Sequence, residues 1–315
     1  MKNPVISIII PCYNAEKFIE NAIRSCFQQS YEEIEVVVID DGSKDNSKQV
    51  IEKLAEESSK IKPIYQENKG VSAARNAGLD NSTGEFCIFL DADDILLPNT
   101  IYNFVDEQKK QNADIVLGLT TLHSKDGTLR SDFNYFEFTN TPMASLIKRW
   151  WPVCSAMIRK NDKRWNESLK VWEVEEYFFE LLLEYKFSCS FIDHYVSRIN
   201  DYENEHKIST VYDHYHAANS ATYFASIEQR LRARNELNND IIQALNHNII
   251  NFAYQAVRNH KCIDSKVFKS INRAMLRNSP NFKITGLLGW CYIFGVEKGI
   301  KWFAKTNKLI RREII

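Results

Sequence analysis

Asp91-Ala92-Asp93-Asp94 sets three carboxylates within four positions, directly after the apolar run Phe86-Cys87-Ile88-Phe89-Leu90. A buried strand that ends in acids delivers them to the carboxyl edge, where open α/β sheets bind ligands. Carboxylates this close repel one another unless positive charge lies between them. A divalent cation meets that need, and hard oxygen donors with no Cys or His alongside favour Mg2+ or Mn2+ over Zn2+. Such an ion bridges a substrate diphosphate and stabilises a departing phosphate. The rival reading is a surface acidic turn, with Asp94 capping a helix that begins near Pro98.

A second acidic strand end precedes it, Ile34-Glu35-Val36-Val37-Val38-Ile39-Asp40-Asp41-Gly42-Ser43. One of its carboxylates can accept the N–H of a pyrimidine or a ribose hydroxyl. Alternatively, Asp40 or Asp41 caps the next helix and shapes the turn. Between the two acidic ends stands Asn68-Lys69-Gly70-Val71-Ser72-Ala73-Ala74-Arg75-Asn76-Ala77-Gly78, a glycine-led entry into a small-residue helix. Its amide terminus and the Arg75 guanidinium are suited to phosphate oxygens or to orienting a carboxylate. Alone, Arg75 reads as a structural ion-pair residue; the combination of the three segments is what points to a nucleotide site.

The elements that position these groups follow from periodicity. Residues up to 118 alternate short apolar runs with helical segments, the pattern of βαβ units. Strands are predicted at 5–10, 34–39, 61–65, 85–90 and 113–118. One helix starts at Asn14 with Phe18, Ala22, Ile23, Cys26 and Phe27 inward; another starts near Ser47 with Val50, Ile51 and Leu54 inward. From 119 to 200 a hairpin signal at Lys125-Asp126-Gly127, an aromatic stretch from Phe133 to Phe138 and Trp150-Trp151-Pro152 read as an elaboration on the substrate side of the sheet. Residues 211–277 are helical in pattern, Ser279-Pro280-Asn281 breaks them, and 284–313 is helical again. The division drawn is a catalytic domain over 1–210 and a helical region over 211–315.

Composition narrows the class. A chain of 315 residues with 44% hydrophobic content can bury a large core. Forty basic against 41 acidic residues, a net charge of -1, is no nucleic-acid footprint. Seven scattered cysteines without a C-x-x-C pair point to a reduced, cytoplasmic setting. Val5–Ile10 is too short to span a bilayer and no cleavage site follows it, so it reads as a first strand and not as a signal peptide.

Taken in order, Ser7-Ile8-Ile9-Ile10-Pro11-Cys12-Tyr13-Asn14, Asp40-Asp41-Gly42-Ser43, Gly70-x4-Arg75-Asn76-x-Gly78, and Asp91-Ala92-Asp93-Asp94 followed by Pro98 resemble the inverting family 2 glycosyltransferases of bacterial surface-polysaccharide type. The resemblance implies the GT-A fold, a Rossmann-like α/β architecture with a mostly parallel sheet, here with a C-terminal helical extension. It implies a nucleotide-sugar donor, a UDP-sugar, with Pro11 and Tyr13 bordering the nucleobase and Asp41 with Asp40 on uracil. Asp91 and its neighbour Ala92 would lie at the ribose, Arg75 in the donor site, and Asp93 on the Mn2+ or Mg2+ held by the diphosphate.

The same resemblance calls for a Glu-Asp pair at a helix start, whose acid deprotonates the acceptor hydroxyl of a glycan or lipid-linked glycan. The region reads Asn166-Glu167-Ser168-Leu169-Lys170-Val171-Trp172-Glu173-Val174-Glu175-Glu176, with no such pair. Counted from Asn166-Glu167, Glu173 is the Glu and Val174 stands where the base should be. If Glu175-Glu176 is the pair, Glu176 is the base. Glu173 and Glu176 share a helix face while Glu175 points elsewhere, and Glu176 is favoured. His206 and Lys207 fall in the stretch that in the family closes over the diphosphate. Trp150 and Trp151 are candidates for an acceptor platform.

In the last segment Lys298, Lys301, Lys305, Lys308 and Arg312 recur at helical spacing beside Trp290, Tyr292, Ile293, Phe294, Trp302 and Phe303. That is the pattern of a helix lying on anionic lipid, or of a packed helix with its lysines in water. The first reading expects an enzyme peripheral on the cytoplasmic face of the membrane. A nucleotide-sugar-binding module without turnover is the alternative function. A nucleotidyltransferase fits less well, because Pro11-Cys12-Tyr13-Asn14 replaces its glycine-rich, basic loop.

Overall fold

The computed structural model describes residues 3–124, 126–133, 141–148, 151–169, 171–201, 215–258, 287, 291 and 296–312. The chain forms two compact units, Met1–Glu137 with Trp150–Tyr202, and Phe138–Arg149 with Glu203–Ile315. The helical unit thus takes in Phe138–Arg149, a segment from well before residue 210.

Among the described residues the first unit carries one mixed sheet of nine strands. These are β1 Ile6–Cys12, β2 Ile34–Asp40, β3 Ile61–Tyr65, β4 Phe86–Phe89, β5 Ile95–Leu96, β6 Ile115–Ser124, β7 Leu129–Phe133, β8 Ala156–Arg159 and β9 Cys189–Asp201. Their order is β3-β2-β1-β4-β8-β6-β9-β5, with β7 paired to β6. The run β3-β2-β1-β4 is parallel throughout, while β8 is antiparallel to both β4 and β6. The chain winds outward from β1 to β3 and returns to the other side of β1 at β4. That reversal is the switch point at which open α/β sheets leave a crevice at their carboxyl ends.

Helices α1 Ile19–Phe27, α2 Ser47–Glu57, α3 Val71–Asn81 and α4 Thr100–Gln111 follow β1, β2, β3 and β5. Both faces of the parallel strands are covered, so those strands read as continuous apolar runs. Ile6, Ile8, Ile10, Val36, Val38 and Ile88 join Ala22, Ile23, Cys26, Ile51 and Leu54 in one core. Helix α3 covers the opposite face at close range. A Cβ on Gly78 would stand 2.3 Å from Ile9 Cγ2 and 2.9 Å from Ile39 Cδ1, so only glycine lets this helix lie so near the sheet.

The predicted strands are present, some longer than expected and β4 shorter, and α2 begins at Ser47 as expected. Helix α1 begins five residues after the expected Asn14. Asn14 is left-handed, φ 50, and its Oδ1 accepts the N–H of Lys44 at 2.7 Å, so it ties two loops together instead of capping a helix. Phe27 is 36% exposed and Phe18 only partly buried, so that helix buries a narrower stripe than its periodicity suggests.

The second unit contains α5 Pro142–Lys148, α7 Tyr215–Ala233, α8 Asn239–Arg258 and α9 Val296–Arg312; α6, Glu173–Leu183, belongs to the first. Phe224, Ile227, Leu231, Leu245 and Ile249 are buried in it, and Asn248 Nδ2 donates to the Ile147 carbonyl. Tyr254 of α8 meets Phe303 of α9 with ring centroids 5.4 Å apart. Among the described residues no helix is long and apolar enough to cross a membrane.

Candidate active site

The carboxyl ends of β1, β2 and β4 converge on the crevice. At β2 both acids are buried, Asp40 at 4% and Asp41 at 3% exposure. Asp40 Oδ1 accepts Ser43 N–H at 3.1 Å and closes the turn. Asp41 works harder: Oδ1 accepts Gln66 Nε2 at 2.7 Å and Lys69 N–H at 2.9 Å, and Oδ2 accepts Gly70 N–H at 2.8 Å. It thereby fastens the loop that leads into α3, whose N-cap Gly70 sits at φ 94, a conformation glycine adopts without strain. Neither acid caps α2. The N-cap position is held by Asn46, and in the turn before it Asp45 accepts Ser47 N–H at 3.0 Å.

The Arg75 side chain is 3% exposed and joins two distant segments. Its Nη2 donates to Asp91 Oδ1 at 2.9 Å, and its Nη1 lies 3.7 Å from Glu173 Oε1. The guanidinium also rests 4.5 Å from the ring centre of Trp165. Nη1 and Nε are buried without a hydrogen-bond partner in the protein. Asn76 and Trp165, neither of them an expected site residue, brace this arrangement. Asn76 Oδ1 accepts Trp165 N–H at 2.8 Å, and its Nδ2 donates to the Trp165 carbonyl at 3.0 Å and to Glu167 Oε1 at 2.8 Å. Trp165 stacks on Tyr177 of α6, rings 4.2 Å apart and 1° from parallel. The signal in the sequence was the adjacency of Arg75 and Asn76, which on one helix reach neighbouring partners.

At the start of α6, Trp172 is left-handed, φ 66, and buried. Glu173 is 16% exposed, and burial raises its pKa against the pull of Arg75. Glu175 is partly buried on the same turn. Burial pushes it up to about 8, with Glu173 adding to the rise and Arg75 opposing it. Glu176 lies one turn beyond Glu173 on the same helix and is partly buried.

The three aspartates after β4 part company. Asp91 is 39% exposed and bound to Arg75. Asp94 is 4% exposed; its Oδ1 accepts Asn200 N–H at 3.2 Å and its Oδ2 accepts Cys154 Sγ–H at 3.7 Å. Burial, followed by the charges of Asp93 and Asp91, holds Asp94 well above the carboxylate range. It does not cap α4, whose N-cap is Asn99. Asn200 Nδ2 also donates to the Asp93 carbonyl at 2.7 Å, so β9 fixes the whole turn. Asp93 lines a cleft of about 300 Å3 with Phe18, Asn21, Arg24, Arg198 and Asn200.

Arg75 supplies positive charge to Asp91, while Asp94 is buried and hydrogen-bonded to Asn200 and Cys154. Among the described residues no cluster of three or more Asp, Glu, His or Cys is arranged to hold a metal. For such an ion the donor set fits only a shared site, in which Asp93 would be the protein ligand and substrate phosphates would complete the shell, the usual way Mg2+ is held.

Pro11 is buried at the end of β1, Tyr13 beside it is 49% exposed, and Ala92 is buried next to Asp91. Trp151 is 1% exposed, packed edge-on against Phe178 and Phe191, which makes it a core residue and not an acceptor platform. His206, Lys207 and Trp150 lie outside the described residues.

Residues 7–172 match the family described as glycosyl transferase family 2. A glycosyltransferase of Nostoc sp. is 43% identical over 123 residues, covering 39% of this chain and 38% of that protein. GlyG of Streptococcus pneumoniae is 33% identical over 115 residues, 36% of this chain and 38% of its own. These matches thus span about two fifths of each relative. Among solved structures, residues 1–349 of Staphylococcus aureus TarS with UDP-GlcNAc superpose with a TM-score of 0.71 at 20% identity, over 97% of this chain and 92% of that one. The mannosyltransferase PcManGT of Pyrobaculum calidifontis, with GDP-Man and Mn2+, gives 0.55 at 14% identity, over 98% and 88%. The sheet order and flanking helices are those of the GT-A fold, and the chain belongs to glycosyl transferase family 2.

Proposed function

We propose that this enzyme transfers a sugar from a UDP-sugar to a hydroxyl of a glycan or lipid-linked glycan, with inversion, in surface-polysaccharide synthesis. The observation that carries the reading is Arg75, which holds Asp91 of the donor crevice and Glu173 of α6 around one guanidinium. Donor and acceptor chemistry need such a juncture, because in-line displacement sets the base opposite the leaving group.

Pro11 and Tyr13 border the base. Asp41 Oδ2 carries one hydrogen bond, from Gly70 N–H, and a carboxylate oxygen accepts two, which leaves a place for a pyrimidine N–H. Asp91 takes the ribose. Asp93 would hold Mn2+ or Mg2+, which supplies positive charge to the diphosphate when bound. The buried Nη1 and Nε of Arg75 offer donors to an oxygen of the substrate. Glu173 takes the acceptor proton: burial raises its pKa toward the working range of a general base, and Arg75 orients it. Glu176, one turn on, is the second candidate. The uridine nucleotide bound by TarS supports the donor class, and the Mn2+ of PcManGT supports the metal.

The test is calorimetric titration with UDP and UDP-sugars with and without Mn2+, followed by donor hydrolysis and transfer assays. Mn2+-dependent UDP binding that is lost in Asp93→Ala is expected. Absence of any nucleotide or nucleotide-sugar binding by the wild type sinks the proposal. Val174, directly after Glu173, favours one second reading, a binding module without turnover. Donor binding with no turnover, unaffected by Glu173→Gln and Glu176→Gln, would select it.

A further inference from the structure

Helix α9 concentrates positive charge in a chain that otherwise balances it. Lys298, Lys301, Lys305, Lys308, Arg311 and Arg312 stand against a single acid, Glu297, whereas the whole chain has 40 basic and 41 acidic residues. The structure shows how the described part of this helix is used. Val296 at 9% and Ile300 at 0% exposure are buried, Gly299 with them, and Phe303 turns to Tyr254. The apolar edge is thus consumed inside the helical unit.

The other edge holds Lys298, Lys301, Trp302 and Lys305, spaced at i, i+3, i+4 and i+7, all exposed. Trp302 is 55% exposed among the three lysines. Lys301 meets Glu297 at 2.6 Å, but at 60% and 46% side-chain exposure that pair is weak and leaves the face cationic. By spacing, Lys308 and Arg312 continue the same stripe.

We propose that this face docks on an anionic bilayer surface, with the lysines over acidic headgroups and the Trp302 indole seated at their level. The attachment differs from that of an amphipathic helix that sinks its apolar side, since Val296, Gly299 and Ile300 of that side are already buried. Charge complementarity does the holding, and the single indole is the residue type that favours the boundary between water and acyl chains. Compact ammonium heads on one straight stripe match a flat, negatively charged surface. The inference stands independently of the transfer reading.

Flotation of the full chain with vesicles of phosphatidylcholine, alone or mixed with phosphatidylglycerol, tests it without any donor or acceptor. Binding to the mixed vesicles only, weakening with salt, is expected. The combined substitution Lys298→Gln, Lys301→Gln, Lys305→Gln should lower partitioning on the order of a hundredfold, at about fivefold per lysine. Trp302→Ala should lower it less and leave the salt dependence unchanged. Removing equal charge from the first unit with Lys17→Gln, Lys53→Gln and Lys109→Gln should change nothing. Circular dichroism confirms that each variant is folded. Equal binding to neutral vesicles, no binding to either kind, equal loss in the control variant, or tighter binding to duplex DNA or polyglutamate would each overturn the proposal.

Discussion

Asp41 and Asp91 stand at the ends of parallel strands on either side of β1, and both belong to motifs that read as donor-binding. Their surroundings differ in kind. Asp41 is 3% exposed and takes three hydrogen bonds from the loop at 66–70, which it organises. Asp91 is 39% exposed and accepts a bond from a guanidinium that also reaches α6. A carboxylate satisfied by its own loop is chiefly an architectural part that keeps a little accepting capacity for a ligand. A carboxylate that shares one buried cation with a glutamate from another helix is a point where two segments are coupled. Motif reading treats the two alike; their partners separate them.

The sharpest way to break this contrast is at the coupled side. Glu173→Gln should lower kcat by roughly 10^2 to 10^4-fold while donor affinity changes less than about tenfold, as expected for loss of a general base. Steady-state transfer kinetics beside UDP titrations provide the split. A larger loss in Glu176→Gln would move the base one turn along α6. Next in size is Arg75→Ala. It leaves Asp91 and Glu173 facing each other without their cation and strips Trp165 of its cover. Urea unfolding should show a loss of about 2–4 kcal/mol, below the range for a fully buried pair because water reaches Asp91. Arg75→Lys should recover little of it, since one ammonium cannot serve both carboxylates and the indole at once.

Much of the donor edge was legible in the sequence, for a physical reason. Parallel strands covered on both faces are continuous apolar runs, so Ile34–Ile39 and Phe86–Leu90 announce themselves, and the acids that end them must lie at the carboxyl edge. What was hidden lies in pairings between distant segments. Nothing in the spacing of Trp165 or Asn76 shows that they exchange two hydrogen bonds. Asp94 read as a helix cap because capping is local, whereas its partners, Cys154 and Asn200, come from other elements. Glu175 was set aside on helical spacing, which assigns a face to a side chain but not the environment against that face. Trp151 passed for a sugar platform because exposure is not visible in composition.

The architectural side breaks more gently. Asp41→Asn keeps the size of the side chain but turns one oxygen into an amide, so an N–H of Lys69, Gly70 or Gln66 loses its acceptor. A loss of about 1–3 kcal/mol in urea unfolding is expected. UDP affinity should fall along with it, because the loop into α3 is no longer held. If affinity falls while stability is untouched, Asp41 is a ligand contact and little else, and the contrast with Asp91 narrows.

The smallest effect concerns the charge carried by the first turn of α6. Glu175 is pushed up to about 8 by burial, whereas an unfolded glutamate titrates near ~4.3. Between those values the folded chain keeps a proton that the unfolded chain has released. The stabilisation is therefore full below the unfolded value and is lost as pH rises through the folded one. Glu175→Gln carries no titrating proton, so it should match the wild type near about pH 5 and exceed it near about pH 8, by on the order of 1–2 kcal/mol. The gain is less than the full shift implies because the side chain is only partly covered. Thermal midpoints across that range decide it. A difference that does not change with pH would mean that Glu175 is ionised throughout. The charge of Glu175 would then add to burial in holding the Glu173 carboxyl above its ordinary range.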